Sequence, residues 1–250
     1  FCLSRGLGDV YKRQVWCEVN GKIAAINYCR VNNIPILGVC LGMQLSVIEF
    51  CQNVLKLPLA TSQEFEDDAF LTHKPISSMD ELELAHVNSG TIGAVDEVDS
   101  PCIESELSSR SVHVVVTMCE FTSSNKGGTM RLGGWNTVIR DKKSLAYKVY
   151  NACKFQSFTT ICEETGQELY TIRERHRHRY EINPEFVPLM EKNGMMFVGK
   201  DVNVNRNEIL ELPGHPFFIA AQYHPEFTSR PMNPNPVSYT HLRAHETGRN

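Results

Sequence analysis

The first half of the chain contains a run in which an apolar strand pattern ends on a turn built around a cysteine, and this run constrains the fold most. Residues 34–39 (IPILGV) are apolar and rich in β-branched side chains, as in a buried strand, and residues 44–51 place apolar side chains at helical spacing. Between them lies Gly38-Val39-Cys40-Leu41-Gly42. The order predicts a strand, a sharp turn and a helix, the alternation of an open α/β sheet.

The cysteine of this turn is a candidate nucleophile. A Gly-x-nucleophile-x-Gly motif puts the reactive side chain on a strained strand-to-helix turn, and its small neighbours let the helix pack closely on the strand. The first turn of a helix also favours the thiolate, because the positive end of the helix dipole lies there. The alternative is a buried structural cysteine, since free cysteine is among the most buried residue types.

Composition limits the class of protein. The chain has 250 residues, of which 42% are hydrophobic and 22% charged, so one larger domain or one domain with an insertion is expected. No apolar run approaches the roughly 20 residues that span a bilayer. The net charge of -4 argues against nucleic acid and anionic membranes as partners. Nine cysteines without paired spacing, and no secretory signal, predict reduced thiols and a cytoplasmic protein.

Three segments differ from the rest of the chain. Residues 1–14 and 236–250 share no periodicity with the interior and resemble translated sequencing-adapter reads, so we expect non-native tails outside the fold. The predicted domain is then 15–235. The stretch from Glu64 to Glu106 contains twelve acidic residues and only one lysine, and this composition predicts a surface insertion over about 66–110.

The remaining pattern alternates helices and strands. Residues 21–31 have the spacing of a helix that leads into the cysteine strand, and Asn183-Pro184-Glu185 has the cap, proline and acidic residue of a helix start. Residues 127–134 (GGTMRLGG) lack the lysine of a phosphate loop and are predicted as a turn. Strands are predicted over residues 112–118, 195–200, 208–212 and 217–223.

Residues 173–181 (RERHRHRYE) contain four arginines and two histidines. Two histidines two positions apart could suggest a metal site, but the flanking guanidinium groups would repel a cation. Nucleic-acid binding would need a wider basic surface. The composition favours a cluster that binds carboxylate or phosphate groups, because the planar fork of arginine matches both.

A second candidate group lies at the end of the last predicted strand. Residues at i and i+2 of an extended segment point to the same side, so His224 and Glu226 can lie next to each other. With Cys40 they would form a nucleophile, a base and a carboxylate that orients the base. A lone histidine at a strand end is more often only a polar surface residue, so the combination carries the inference.

These motifs resemble the class I glutamine amidotransferases. The resemblance implies an α/β fold with an open, mostly parallel sheet flanked by helices and a cysteine nucleophile elbow. It implies a catalytic triad of Cys40, His224 and Glu226 and no metal or cofactor in this domain. It implies a glutamine site lined by Leu41, Gly42, Met43, Gln44, Glu64 and Arg179, where Glu64 suits an α-ammonium and Arg179 an α-carboxylate.

Residues 61–65, 127–133 and 174–181 resemble the CTP-forming branch of this family. Its members pass ammonia from L-glutamine to a synthetase domain, which uses ATP and Mg²⁺ to aminate UTP, and they form homo-oligomers. In that branch a strand and a glycine loop precede the position of Gly21 and supply part of the oxyanion hole, and a helix follows the position of Arg230. We expect this chain to lack both of these parts, because its ends are expected to be non-native, and to lack the synthetase domain. We therefore expect a fragment that is weakly active or inactive alone.

Two alternatives remain at this point. One is another cysteine-elbow hydrolase, such as a γ-glutamyl hydrolase, whose pocket would differ around Glu64 and Arg179. The other is an amidotransferase-like module that only binds partners. A glutaminase assay separates the three possibilities.

Overall fold

The computed structural model describes residues 11–65, 80, 111–118, 130–153, 157–161, 166, 168–202 and 206–247. Within these ranges the helices are α1 (Tyr11–Val31), α2 (Leu41–Asn53), α3 (Leu145–Cys153), α4 (Val187–Lys192) and α5 (Pro236–Thr247). The strands are β1 (Ile36–Val39), β2 (Ala60–Ser62), β3 (Val112–Thr117), β4 (Arg131–Ile139), β5 (Ser157–Ile161), β6 (Glu168–His178), β7 (Tyr180–Ile182), β8 (Met196–Asp201), β9 (Asn207–Glu211) and β10 (Phe218–Ala221). Short 3₁₀ helices cover Gln63–Phe65, Pro184–Phe186 and Pro225–Phe227.

The strands form two sheets. A seven-stranded sheet has the order β1-β10-β9-β8-β4-β6-β5, and a three-stranded sheet has the order β2-β3-β7. In the described part of the chain β1 pairs with β10, and β2 with β3, in parallel, whereas the other pairs are antiparallel. The predicted α/β class with a cysteine elbow is confirmed, and the sheet, expected to be mostly parallel, is mixed. Strands such as β8, β9 and β10 follow one another through short connections, which suit antiparallel pairing because a parallel pair needs a long crossover.

Helix α2 lies at the centre of the molecule. It packs against α1 and against strands of both sheets, and all its residues from Met43 to Cys51 are buried. A helix that is buried on every side must neutralise its charges, and Glu49 is fully buried. Arg30 of α1 does so with two donors, Nε at 2.9 Å from Oε2 and Nη2 at 2.8 Å from Oε1.

Strand β1 approaches α2 and β10 so closely that only glycine fits at position 38. A Cβ atom on Gly38 would lie 2.8 Å from the Cβ atom of Ala220 and 2.9 Å from the carbonyl oxygen of Gly42. Both distances are below ordinary contact, so a side chain here would push the strand away from the helix. Gly38 therefore lets the elbow helix pack closely on the strand, as the motif predicted.

The chain ends differ from the sequence-based expectation. Helix α1 begins at Tyr11, inside the segment expected to be a tail, and Pro236–Thr247 forms α5, which packs against α3 and β1. Val237 is fully buried in an apolar cluster with side chains of α3, β9 and β10, so the expectation that 236–250 lie outside the fold is corrected for this helix. A helix thus follows Arg230, where none was expected. That the two ends are non-native stays a prediction.

Other expectations fall on residues that the structure does not describe. Residues 1–10 and nearly all of the acidic insertion at about 66–110 lie outside the described ranges. Of the run predicted as a turn at 127–134, residues 131–134 belong to strand β4 instead. Among the helices of the described ranges, none is long and apolar enough to cross a bilayer.

Candidate active site

Cys40 occupies a strained turn between β1 and α2. Its φ of 53° and ψ of -102° fall outside the regions that residues other than glycine usually adopt. The turn is held on both sides, because the Cys40 N–H donates to the carbonyl oxygen of Ala221 at 2.7 Å and the Cys40 carbonyl accepts from the Met43 N–H at 3.1 Å. Backbone strain of this kind persists only when its surroundings enforce it, and it is typical of functional turns.

His224 and Glu226 lie close to that turn because β10 runs parallel to β1. The two strands pair from Ile36 with Phe218 to Val39 with Ala221, so both chains leave the sheet at the same end. The backbone N–H of His224 donates to the carbonyl oxygen of Arg175 at 2.8 Å. His224 Nδ1 is 2.7 Å from Glu226 Oε1, so the two side chains lie next to each other as predicted. Glu226 belongs to the 3₁₀ helix Pro225–Phe227, however, and not to the extended segment that was expected.

The imidazole of His224 is hydrogen-bonded to the Glu226 carboxylate and interacts electrostatically with the Cys40 thiol. Its pKa is raised to about 9, first by its interaction with Cys40 and then by the hydrogen bond to Glu226, whereas burial opposes the shift. The second ring nitrogen, Nε2, is buried and forms no hydrogen bond of standard geometry within the described residues. In enzymes without substrate such contacts are often loose and tighten on binding. The structure thus brings Cys40, His224 and Glu226 together in the order nucleophile, base and orienting carboxylate.

A pair of amide side chains lies next to the thiol. Gln222 Nε2 donates to Cys40 Sγ at 3.7 Å, and Gln222 Oε1 is 3.4 Å from Gln44 Nε2. Gln44 Nε2 also lies 3.3 Å from the carbonyl oxygen of Tyr180, while Gln44 Oε1 is buried without a partner among the described residues. Gln222 is absent from the sequence-predicted set, although its position two residues before His224 on an extended segment could have indicated it.

The other predicted residues of α2 divide into two groups. Leu41 and Gly42 are half-buried in the first turn, and no atom lies within 4 Å of where a Cβ atom of Gly42 would be. Met43 is fully buried in the apolar core. Its side chain therefore packs inside the protein, and only its backbone can face a ligand.

Glu64 and Arg179 lie at the same end of the three-stranded sheet. Glu64 belongs to the 3₁₀ helix that follows β2, and Arg179 directly precedes β7, so they flank the end of β3 from its two sides. The carbonyl oxygen of Arg179 accepts from the Met118 N–H at 3.3 Å, and Gln63 Oε1 accepts from the Thr117 N–H at 2.9 Å. These contacts tie the segments that carry Glu64 and Arg179 to the end of β3, and both residues are half-buried.

The arginine and histidine run forms most of β6, where it separates into two faces. Glu174, His176 and His178 are buried, and the alternate residues Arg173, Arg175 and Arg177 are exposed. His176 Nε2 is 3.2 Å from Glu208 Oε1, and Glu208 also pairs with Arg131. The histidines therefore belong to a buried network, and the predicted binding of carboxylate or phosphate groups concerns the arginine face alone, where it stays a prediction.

His178 should make the protein less stable in acid. Burial, followed by the charge of His176, lowers its pKa from 6.5 to about 3, and its Nδ1 is 2.9 Å from the carbonyl oxygen of Tyr180. The pKa of His178 is lower in the folded protein than in the unfolded chain, so protonation favours unfolding. The contribution of neutral His178 to stability is therefore complete above pH 6.5 and is lost as the pH falls toward 3. Between pH 7 and pH 5 the loss from this group is about 2 kcal/mol in the free energy of unfolding.

Urea denaturation at the two pH values measures this loss. The variant His178→Asn keeps a side-chain N–H donor but cannot take up a proton, so its stability should change less over the same interval. Comparing the two proteins removes the contributions of other titrating groups. Equal changes in the two proteins would show that His178 does not cause the acid lability.

The chain is similar to known proteins over most of its length. The sequence profile of the family "Glutamine amidotransferase class-I" matches residues 1–243. CTP synthase 2 of Bos taurus is 39% identical over 216 residues, which are 86% of this chain and 27% of that protein. CTP synthase of Drosophila melanogaster is 37% identical over 218 residues, 87% of this chain and 26% of that protein. The chain thus spans about a quarter of the length of these relatives.

A solved structure is similar over nearly the whole chain. It is the glutaminase domain of Trypanosoma brucei CTPS with bound acivicin, which matches with a TM-score of 0.65 and 28% identity. The match covers 97% of this chain and 69% of that one.

Proposed function

The chain belongs to the class I glutamine amidotransferases, and on this premise we propose that Cys40, His224 and Glu226 hydrolyse L-glutamine to glutamate and ammonia. The observation that carries the proposal is the hydrogen bond between His224 and Glu226 just after β10, at the same end of the sheet as the strained Cys40 turn that follows the paired strand β1. In this scheme Cys40 Sγ attacks the side-chain amide carbon while His224 Nε2 accepts the thiol proton. Glu226 keeps the Nδ1 proton in place and stabilises the imidazolium.

The second half of the reaction uses the same groups. The tetrahedral intermediate collapses as His224 gives its proton to the leaving nitrogen, so ammonia departs and a thioester to Cys40 remains. A water molecule, deprotonated by His224, then attacks the thioester carbonyl and releases glutamate and the thiol. The Leu41 N–H, which follows the nucleophile at the helix start, is the candidate donor to the oxyanion in both steps.

Glutamine would be held at its amino-acid end by Glu64 and Arg179. A carboxylate pairs with the α-ammonium group, and the guanidinium fork pairs with the α-carboxylate. Their positions on the two sides of the end of β3, next to the Gln44 contact with Tyr180, support this assignment. Gln44 and Gln222 would then lie near the amide that reacts.

We further propose that the ammonia serves the amination of UTP to CTP. The support is that the similar curated proteins are CTP synthases and that this chain spans about a quarter of their length. A synthetase domain in the remainder of such a protein would be the partner, and ATP and Mg²⁺ would be bound there. A homo-oligomer of the complete protein belongs to the same proposal.

Acivicin is a direct probe of the glutaminase proposal, because the similar Trypanosoma brucei domain binds it. Incubate the chain with acivicin, digest it, and map the modified cysteines by mass spectrometry. We expect modification of Cys40 that excess L-glutamine slows, and little modification of the exposed Cys153. Modification mainly at Cys153 or Cys29 would reject Cys40 as the nucleophile. A chain that hydrolyses γ-glutamyl peptides but not glutamine would instead indicate a γ-glutamyl hydrolase.

A further inference from the structure

Glu174 of β6 is a fully buried carboxylate that the proposed reaction does not use. Three side chains donate to it: Tyr150 Oη to Oε1 at 2.8 Å, Asn235 Nδ2 to Oε1 at 2.6 Å, and Thr228 Oγ1 to Oε2 at 2.8 Å. Burial raises its pKa to about 6, and these three hydrogen bonds oppose the shift. A carboxylate is costly to bury, so its place in the structure calls for a role.

The partners of Glu174 lead to both ends of the segment that carries the base. Thr228 directly follows the 3₁₀ helix that contains Glu226, and its N–H lies 3.3 Å from the carbonyl oxygen of Pro225. At the other end, the hydroxyl oxygens of Tyr150 and Tyr223 are 3.0 Å apart, and Tyr223 directly precedes His224. Both tyrosines are fully buried, so this end is fixed by packing as well.

The hydrogen bond between His224 and Glu226, which lie between Tyr223 and Thr228, needs support from its surroundings. His224 has a side chain that is 16% exposed, and Glu226, its partner, is 36% exposed. A hydrogen bond between a half-buried ring and a more exposed carboxylate is held together mainly by its backbone, because solvent competes for the carboxylate. The residue after Glu174 contributes too, since the Arg175 carbonyl accepts the His224 N–H at 2.8 Å.

We propose that Glu174 is a positioning residue that anchors Tyr223–Thr228 and so holds His224 against Glu226. This inference rests on the proposed function, in which His224 is the base. Glu174 acts through Thr228 and the two tyrosines and does not touch the reacting atoms.

The test measures the imidazole itself. In protein labelled with ¹³C at histidine, the His224 resonance, assigned with His224→Ala, is titrated by NMR in the unmodified chain and in Glu174→Gln. We expect the pKa of His224 to fall from about 9 by at least about one unit toward 6.5, because the hydrogen bond to Glu226 loosens. The rate of Cys40 modification by acivicin should fall about 10- to 100-fold, part of what a positioned base contributes.

Two further variants make the result decisive. Thr228→Val removes only the hydroxyl that ties the 3₁₀ helix to Glu174, so it should shift both readouts in the same direction and by less. Glu49→Gln is the matched control, because it also neutralises a fully buried carboxylate, one that pairs with Arg30 away from His224. Its His224 titration should equal that of the unmodified chain.

Each outcome supports or overturns the proposal. If Glu174→Gln does not fold, Thr228→Val gives the answer. An unchanged pKa of His224 and an unchanged modification rate in the folded variants would overturn the positioning role. If Cys40 of the unmodified chain does not react with acivicin at all, the proposed function fails, and the titration alone still reports whether Glu174 positions the ring.

Discussion

Replacing Cys40 by serine should lower the rate of glutamine hydrolysis by at least about 10⁴-fold, because removal of a nucleophile from a catalytic triad costs on the order of 10⁴ to 10⁶. Serine has nearly the same shape and can occupy the same strained turn, so the fold should persist. The loss would come from the hydroxyl, which is a much weaker nucleophile than a thiol. Because the chain alone is expected to be weakly active, ammonia release from L-glutamine is followed with a coupled assay at high protein concentration.

The control for this prediction is Cys153→Ser, which changes an exposed cysteine at the end of α3. Its rate should equal that of the unmodified chain. Should Cys40→Ser keep more than about a tenth of the activity, the thioester mechanism would be wrong, and the elbow cysteine would be a structural residue.

The second large effect concerns the base. His224→Ala should reduce turnover by about 10²- to 10⁴-fold, the usual contribution of a positioned general acid and base. Glu226→Ala should reduce it less, because Glu226 fixes the tautomer of the ring whereas His224 transfers protons in both half-reactions. The two variants are compared by kcat for L-glutamine, and their folding is checked by circular dichroism.

The contrast between these variants also tests the assignment of roles. A Glu226 variant slower than the His224 variant would show that the two residues have been assigned the wrong functions. Equal losses would indicate that the triad acts as one strongly coupled unit.

The parts of the site that sequence could predict are those whose signal is local. The elbow is a run of five residues, and His224 and Glu226 are only two positions apart in the chain. Both lie where they were predicted. The contact between them and Cys40 depends on the pairing of β1 with β10, which the sequence indicates only through the family resemblance.

The residues that sequence reasoning missed are brought to the site by distant strands. Glu174 meets Thr228 and Asn235 across more than fifty positions of the chain, and no local pattern links them. The alternation along β6 was hidden because both of its faces carry polar side chains, arginine on one and glutamate or histidine on the other. Periodicity of hydropathy detects a strand only when one face is apolar.

Helix α5 escaped prediction for a related reason. Among the residues of this helix whose side chains are described, only Pro236 and Val237 are buried, and Leu242 is 63% exposed, so the segment lacks a continuous apolar stripe. Its position depends on specific contacts instead, such as that of Asn235, whose Oδ1 accepts the Val237 N–H at 3.1 Å. Segments that dock through a few buried contacts resemble unstructured tails when only their composition is considered.

The pairing of β1 with β10 also determines where the chain can change in length. The Cys40 N–H is bonded to the Ala221 carbonyl, and only Gln222 and Tyr223 separate Ala221 from His224. Each extended residue advances the chain by about 3.3 Å and reverses the side to which the next side chain points. One inserted or deleted residue between Ala221 and His224 would therefore carry the ring out of reach of the thiol. Natural variation in length should fall instead in the partly exposed connection from β9 to β10, because this connection precedes Ala221 and does not change the spacing from Ala221 to His224.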